Sequence, residues 1–285
     1  MKFKLLIPVA LLFLADLSGA ANAAASDCYE QARIPIDKRV QRSHTIVLLD
    51  ETTVFDQNQR QHIVERLLPV LAEGSTTEII AFSAFSQGRY ADPKISIKLA
   101  APLDEATRMD IRKNNLKDFD VCLLISGKRA RTKLTEVLEQ YFNNSSSELA
   151  RSDILGVLRE IGDNVMPRML VKDKRIVLVS DMLENSDISS FYAKGMPRDI
   201  KPADELARAK AKGMLSDLRH AKIWVIGAGI VPTDGKKGAQ SYRSGAVMAS
   251  LKDFWSRYFE ESNGKLMGFG QPLLLSPIDM ALPER

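Results

Sequence analysis

Three continuous apolar runs constrain the fold of this chain more than any other feature of its sequence. Residues 44–50, 174–181 and 222–230 are each typical of a strand that is buried on both faces, because each contains four consecutive apolar side chains. Between them, apolar residues recur at three- and four-residue spacing, which predicts helices; the clearest is at residues 56–72. Strands that alternate with helices predict a doubly wound α/β fold, in which helices flank both faces of a mostly parallel central sheet.

Weaker patterns complete the predicted order of elements. Further strands are predicted at residues 77–85, 95–99 and 265–275, and residues 95–99 are expected at an edge of the sheet. Residues 121–125 are predicted to form a short strand or a buried turn. Further helices are predicted at residues 104–115, 134–142, 152–165, 203–221 and 241–262, and residues 185–202 are predicted to be a loop.

The first residues have the pattern of a secretory signal peptide. Lys2 and Lys4 precede an apolar stretch at residues 5–14, which is shorter than the roughly 20 residues that a membrane-spanning helix needs. We expect cleavage after Ala23 and a periplasmic or secreted protein with no stable membrane anchor, although an uncleaved anchor is the alternative. The predicted organisation is a signal peptide at 1–23, an N-terminal arm at 24–43, one α/β domain at 44–275 and a tail at 276–285.

The chain has two cysteines, Cys28 and Cys122, and both lie beyond the predicted cleavage site. In an exported chain the simplest expectation is a disulfide between them, which would fasten the N-terminal arm to the domain. Two unpaired thiols are the alternative. A zinc site is not expected, because zinc prefers four ligands and the three histidines show no ligand spacing.

The charge of the chain indicates no nucleic-acid partner. Its 40 Lys and Arg against 36 Asp and Glu give a net charge of +4, and no block of five basic residues occurs. A hydrophobic content of 45% also excludes an intrinsically disordered chain.

Two aspartates end two of the predicted buried strands. The carboxyl ends of parallel strands meet at one edge of a sheet, so Asp50 and Asp181 are expected to lie near each other. Acids beside a core need a compensating partner, and Thr52 and Ser152 offer further hard oxygen ligands of the kind that Mg²⁺ or Ca²⁺ prefers. The sequence therefore predicts a metal site of Asp50, Thr52, Ser152 and Asp181. In the alternative, the two aspartates accept backbone hydrogen bonds and hold no metal.

The order of elements and these loops resemble a von Willebrand factor type A (VWA) domain. That family's metal-ion-dependent adhesion site (MIDAS) has an Asp-x-Ser-x-Ser loop, a Thr at the start of a later helix and an Asp at the end of the next strand. Asp50 matches the first Asp, Thr52 the first Ser, Ser152 the Thr and Asp181 the last Asp. Val54 departs from the pattern, because it stands in place of the second Ser and cannot bind a cation.

The resemblance covers roughly residues 44–275 and implies an adhesion or assembly module that binds another protein and is not an enzyme. In the family, a carboxylate of the partner takes the open position on the cation. The residues expected to contact the partner lie near the predicted metal site; they are Glu51, Thr53, Glu184, Phe191 and Tyr192. Loops at this edge of such folds commonly contain the residues that bind a partner. The segment that contains Phe191 is equally consistent with a solvated connector.

Three enzyme classes have weaker support in the sequence. Residues 47–54 resemble the first motif of haloacid-dehalogenase-type phosphatases, with Asp50 as nucleophile, but Thr52 stands where the family has its acid/base residue. Gly227-Ala228-Gly229 lacks the third glycine of a dinucleotide-binding fingerprint and is better explained by a tight turn. No Gly-x-Ser-x-Gly motif of a serine hydrolase is present.

Overall fold

A six-stranded sheet lies at the centre of the protein. The structure is a computed structural model that describes residues 27–83, 92–147, 151–193, 196–230 and 244–278. The strands of the sheet are β1 (Ser43–Asp50), β2 (Ser75–Phe82), β3 (Asp92–Lys98), β4 (Asp173–Val179), β7 (Lys222–Ile226) and β8 (Lys265–Phe269). A separate two-stranded hairpin contains β5 (Tyr192–Ala193) and β6 (Met196–Pro197).

The sheet has the order β3-β2-β1-β4-β7-β8, with β1 near its middle. Every neighbouring pair is parallel except β3, which runs antiparallel to β2 at the edge. The doubly wound α/β fold is therefore confirmed, as is the edge position predicted for residues 95–99. The strand order agrees with the doubly wound α/β arrangement that the sequence resemblance implies.

The continuous apolar run of β1 is explained by two cores, one on each face of the sheet. Ile46 and Leu48 belong to the core on one face, whereas Val47 and Leu49 belong to the core on the other. Successive side chains of a strand point to opposite faces, so a strand with a core on both sides must be apolar throughout.

The helices are α1 (Cys28–Gln31), α2 (Gln57–Leu67), α3 (Glu105–Met109), α4 (Lys113–Asn144), α5 (Ile154–Glu160), α6 (Pro202–Ala211) and α7 (Gly245–Glu261). Helix α2 begins with a capping box, in which the side chains of Asp56 and Gln59 each accept a hydrogen bond from the other's backbone N–H. Helix α5 continues into a π-helical turn at Ile161–Val165. No helix among the described residues is both long and apolar enough to cross a membrane.

Several predicted boundaries differ from the structure. Residues 121–125, predicted as a strand or buried turn, lie inside the 32-residue helix α4. This helix also contains the predicted helix at 134–142. The predicted helix at 203–221 ends at Ala211, and the predicted strand at 265–275 ends at Phe269. The predicted signal peptide and the last seven residues lie outside the described residues.

The N-terminal arm is fastened to α4. A disulfide joins Cys28 to Cys122, as predicted, and closes a loop with a sequence separation of 94 residues. Around it, a small third core contains Tyr29, Ile34 and Phe119, with the rings of Tyr29 and Phe119 5.0 Å apart and edge to face. The arm is therefore held by apolar packing as well as by the covalent bond.

Candidate functional site

The carboxylate of Asp50 is fully buried and lies at the centre of the candidate site. Its Oδ1 accepts hydrogen bonds from the backbone N–H of Thr52 at 3.0 Å and from the Thr52 hydroxyl at 2.6 Å. Its Oδ2 accepts hydrogen bonds from the hydroxyls of Ser152 at 2.9 Å and Ser180 at 2.7 Å. Three hydroxyl groups from three separate segments of the chain therefore converge on one carboxylate.

The topology of the sheet explains this convergence. Asp50 is the last residue of β1, and β4 runs parallel beside β1, so Ser180 directly after β4 lies at the same edge. Thr52 reaches Asp50 through a local turn, in which an aspartate accepts a hydrogen bond from the N–H two residues on. Ser152 comes just before α5, whose N-cap is Asp153 and not Ser152.

Burial raises the pKa of Asp50, because the charged carboxylate has lost its water. The hydrogen bonds from Thr52, Ser180 and Ser152 oppose that shift, since they stabilise the charged form. A cation bound beside these hydroxyl groups would stabilise the charged form of Asp50 further.

Asp181 forms the second acidic part of the site and is 5% exposed. Its backbone N–H donates to the Thr53 hydroxyl at 3.1 Å, which ties the loop after β4 to the loop after β1. Its Oδ1 accepts a hydrogen bond from the N–H of Leu183 at 2.8 Å, and its Oδ2 accepts one from the hydroxyl of Tyr192 at 3.3 Å. The loops that carry Asp50 and Asp181 are therefore joined by a hydrogen bond.

The donor set at Asp50 fits a hard cation. A hydroxyl that donates its proton to a carboxylate keeps oxygen lone pairs, and the Thr52 and Ser152 hydroxyls are used only as donors in the described contacts. The Ser180 hydroxyl differs, because it also accepts a hydrogen bond from the N–H of Met182 at 2.9 Å. Within the described ranges, no cluster of three or more His, Cys, Asp or Glu side chains is arranged to hold a metal.

Three of the five side chains predicted to contact a partner are buried in the structure. Thr53 is 2% exposed and bonded to Asp181, and Glu184 is fully buried, with its Oε2 accepting from the N–H of Leu155 at 3.0 Å. Phe191 is 1% exposed and packs edge to face against Phe254 at 5.1 Å between ring centroids. The sequence predicts that Phe191 contacts a partner, whereas in the structure its side chain belongs to the core.

The other two predicted contacts remain accessible. Glu51 is half-buried and lies 3.5 Å from the ammonium group of Lys94, and Tyr192 is half-buried beside Asp181. Asp50 has two further hydrogen-bond partners, Ser180 and Tyr141, that are not among the site residues predicted from sequence. Ser180 had a local signal, since it directly precedes Asp181, whereas Tyr141 lies 91 residues from Asp50 and had none.

Gly227 occupies the tight turn that follows β7. Its φ is +103°, a conformation that favours glycine, and a Cβ at this position would lie 2.8 Å from the ring of Phe55. Gly227 and Gly229 both have positive φ and form the tight turn that the sequence predicts.

Comparison with known proteins gives structural similarity only. No family model matches the sequence, and no curated protein matches it. Twenty solved chains match. One is an aerotolerance-related membrane protein from Bacteroides fragilis with multiple mutations to serine; it is 12% identical, with a TM-score of 0.36, and the match covers 79% of this chain and 90% of that one.

Another match is proximal thread matrix protein 1 from the mussel byssus, whose MIDAS motif is occupied by zinc. It is 13% identical, with a TM-score of 0.35, and the match covers 80% of this chain and 44% of that one. At such low similarity, function has to be inferred from the side chains of this chain itself.

Proposed function

We propose that the sheet edge around Asp50 is a protein-binding site in an exported, non-enzymatic module, and that a divalent cation assists the binding. The observation that carries this proposal is the convergence of the Thr52, Ser152 and Ser180 hydroxyls on the buried Asp50 carboxylate. Burying an acid without a cationic partner is costly, so this arrangement is more readily understood as a binding site than as packing. The disulfide supports the exported location, because such bonds persist in oxidising compartments.

The proposed cation ligands are Asp50, Thr52, Ser152 and Asp181. Their oxygens are hard donors, which favours Mg²⁺ or Ca²⁺, and the cation would supply a positive centre for an acidic side chain of the partner. Val54 is 39% exposed at the position where the VWA family has a further hydroxyl. With one ligand fewer, we expect weaker cation binding than a complete adhesion site would give.

The accessible residues near this edge suit a protein partner. Val54 follows the Asp50 loop and Met196 lies in the hairpin that contains Tyr192; both are exposed, Met196 by 45%. Exposed apolar side chains beside a polar centre are typical of protein interaction sites. Glu51 adds a charged side chain, so we expect the contact surface to combine Glu51, Val54, Tyr192 and Met196.

Cation binding is tested by titration calorimetry of the protein with Mg²⁺, Ca²⁺ and Mn²⁺. The test variant is Thr52→Val combined with Ser152→Ala, which removes two proposed ligand oxygens and keeps Asp50. The matched control is Ser180→Ala. The Ser180 hydroxyl donates to the same Asp50 oxygen as Ser152, but it also accepts a hydrogen bond from the N–H of Met182 and is not a proposed ligand. We expect the double variant to lose about tenfold or more in cation affinity and the control to lose much less. Wild-type protein that gives no binding heat with any cation would contradict the proposal.

The protein partner is tested by affinity capture from a periplasmic extract, with and without a chelator. Val54→Arg places a charge on the proposed contact surface without touching a proposed ligand, so we expect it to reduce capture and leave cation binding intact. Capture that is unchanged by both the chelator and Val54→Arg would place the partner contact elsewhere.

The phosphatase alternative has no support from the geometry. The Thr52 hydroxyl donates to Asp50 at the position where that class needs an acid. Turnover of a generic phosphate ester with Mg²⁺ that disappears in Asp50→Asn would revive it.

A further inference from the structure

The outward side of α4 exposes three large apolar side chains in one patch. Val121, Leu124 and Ile125 are 48%, 71% and 42% exposed, although they belong to a continuous 32-residue helix. Residues three and four apart lie on the same side of a helix, so these three are neighbours. Cys122 and Ser126, which lie on the other side, are buried against the N-terminal arm. Single exposed apolar residues are ordinary, but an adjacent group of three is a reason to look for an interaction surface.

Two lysines extend this patch at both ends. Lys117 and Lys128 are exposed and lie four residues before Val121 and four residues after Leu124, so they share its side of the helix. We call Lys117, Val121, Leu124, Ile125 and Lys128 the outer face of α4. Its apolar centre and basic ends have the composition of a helix that lies at a lipid surface.

Positive charge is concentrated in the segment of α4 that contains the outer face. Residues 113–133 contain six lysines and arginines against two aspartates, a net charge of +4, which equals the formal net charge of the whole chain. One of those aspartates, Asp120, is paired with the guanidinium of Arg108 at 2.7 and 2.9 Å. The surface around Leu124 is therefore complementary to an anionic surface.

We propose that the outer face of α4 binds an anionic lipid surface, with its apolar side chains in the interface and its lysines among the headgroups. Interfacial binding of this kind depends on buried apolar area and on attraction between basic residues and anionic lipids. Lysine also suits this position, because its aliphatic stem follows the apolar surface while its ammonium group reaches the headgroups.

A second copy of the chain is a poorer occupant of this face. A stable dimer buries roughly 800 Å² on each partner, far more than three partly exposed side chains supply. In a two-fold symmetric dimer the same face would meet itself, so Lys117 and Lys128 of each copy would repel those of the other. An anionic lipid surface has neither disadvantage.

The proposed lipid contact and the Asp50 site use different parts of α4. Leu124 is 17 residues before Tyr141, whose hydroxyl bonds the Asp50 backbone, which corresponds to about 25 Å along a helix that rises about 1.5 Å per residue. The two functions are therefore separable by mutation, and one can fail without the other.

The proposal is tested by co-sedimentation of the protein beginning at Ala24, without the predicted signal peptide, with vesicles. One set contains about 30% phosphatidylglycerol in phosphatidylethanolamine, and the other is pure phosphatidylcholine. The apolar variant is Val121→Ser, Leu124→Gln, Ile125→Ser, and the charge variant is Lys117→Gln, Lys128→Gln. The controls are Leu275→Gln, which changes another exposed leucine, and Lys252→Gln, which changes an exposed lysine on α7.

We expect wild-type protein to sediment with anionic vesicles and to be released by about 0.5 M salt, because salt screens surface charge. Each outer-face variant should reduce the bound fraction about tenfold or more, with an unchanged thermal melt, whereas both controls should bind like wild type. No sedimentation of wild type, or equal sedimentation of wild type and the apolar variant, overturns the proposal. A wild-type dimer that the apolar variant converts to a monomer, without vesicle binding, overturns it in favour of a second copy.

Discussion

The hydroxyl of Tyr141 donates a 2.8 Å hydrogen bond to the backbone carbonyl oxygen of Asp50. This contact joins the last turn of α4 to the end of β1 across 91 residues of sequence. Burial, and then the neighbouring Asp50 carboxylate, hold the pKa of Tyr141 well above its ordinary value, so the phenol stays a neutral donor. The loop that carries Thr52 therefore begins at a backbone position held by a long helix.

We expect Tyr141→Phe to lower the free energy of unfolding by about 1–2 kcal/mol, because it leaves a buried carbonyl oxygen without this donor. Chemical denaturation measures the loss. Tyr192→Phe is the control, since its hydrogen bond to Asp181 is longer, at 3.3 Å, and only part-buried. A Tyr141→Phe protein as stable as wild type would show that water replaces the phenol at no cost.

The stability of the protein should fall as the pH rises, in part because of Glu184. Burial raises the pKa of this acid to about 8, from an ordinary value of 4.5. The folded state then binds more protons than the unfolded state between these values, so the free energy of unfolding decreases as the pH rises from about 5 to 8. Below the unfolded pKa, this cost is absent.

Glu184→Gln isolates that contribution, because the amide oxygen can still accept from the N–H of Leu155 while the group no longer titrates. We expect the stability difference between wild type and variant to shift by a few kcal/mol in favour of the variant from pH 5 to pH 8. Denaturation curves at several pH values measure it. Asp50 also has a raised pKa, but it contributes to both proteins and cancels. Parallel pH profiles would contradict an ionisable role for Glu184.

Phe191 and Tyr192 should respond differently to truncation, although both were predicted from sequence to contact a partner. Phe191→Ala removes a ring that packs against Phe254 and Trp255, so we expect a loss of about 3–5 kcal/mol in stability. Tyr192→Ala removes a half-buried ring and should cost less in stability while weakening partner capture. Thermal melts and capture assays on the two single variants separate the effects; a stable Phe191→Ala protein would contradict the packed position of the ring.

Removing the disulfide should destabilise the protein. In the chain-entropy treatment, a closed loop of this length contributes about 4–5 kcal/mol, so we expect Cys28→Ser with Cys122→Ser to lower stability by up to that amount. Reduction of the wild type should produce the same loss, and reduction of the variant none. Limited proteolysis should show earlier cleavage of the arm in the variant. The apolar cluster of Tyr29 and Phe119 still packs there, so a loss near zero would show that packing alone holds the arm.

The central strands and the Asp50 constellation were predictable from sequence because both follow from local pattern. A strand with a core on each face has to be apolar throughout, and an acid that ends such a strand lies at the carboxyl edge of the sheet. Thr52 reaches Asp50 through a local turn, and Ser152 was identified by its match to the family's motif. Tyr141 was not predictable in this way, because its hydrogen bond depends on where α4 ends relative to β1.

At two positions the structure differs from what the local sequence pattern indicated. Residues 121–125 are a short apolar run, and such a run does not distinguish a strand from part of a helix. Phe191 lies in a polar segment, and only the packing of α7 against that segment makes it a core residue. In both cases the neighbours that decide the outcome lie far away in the sequence.

The Cys28–Cys122 bond also sets the path of mechanical load through the molecule. Tension applied to the chain ahead of Cys28 passes directly into α4, so the intervening loop, with β1, β2 and β3, carries none of it. Reduction would redirect the same pull into the N-terminal end of β1 and peel the central strand from its neighbours. The disulfide thus protects β1, the strand that carries Asp50, from tension applied at the N-terminal side of the chain.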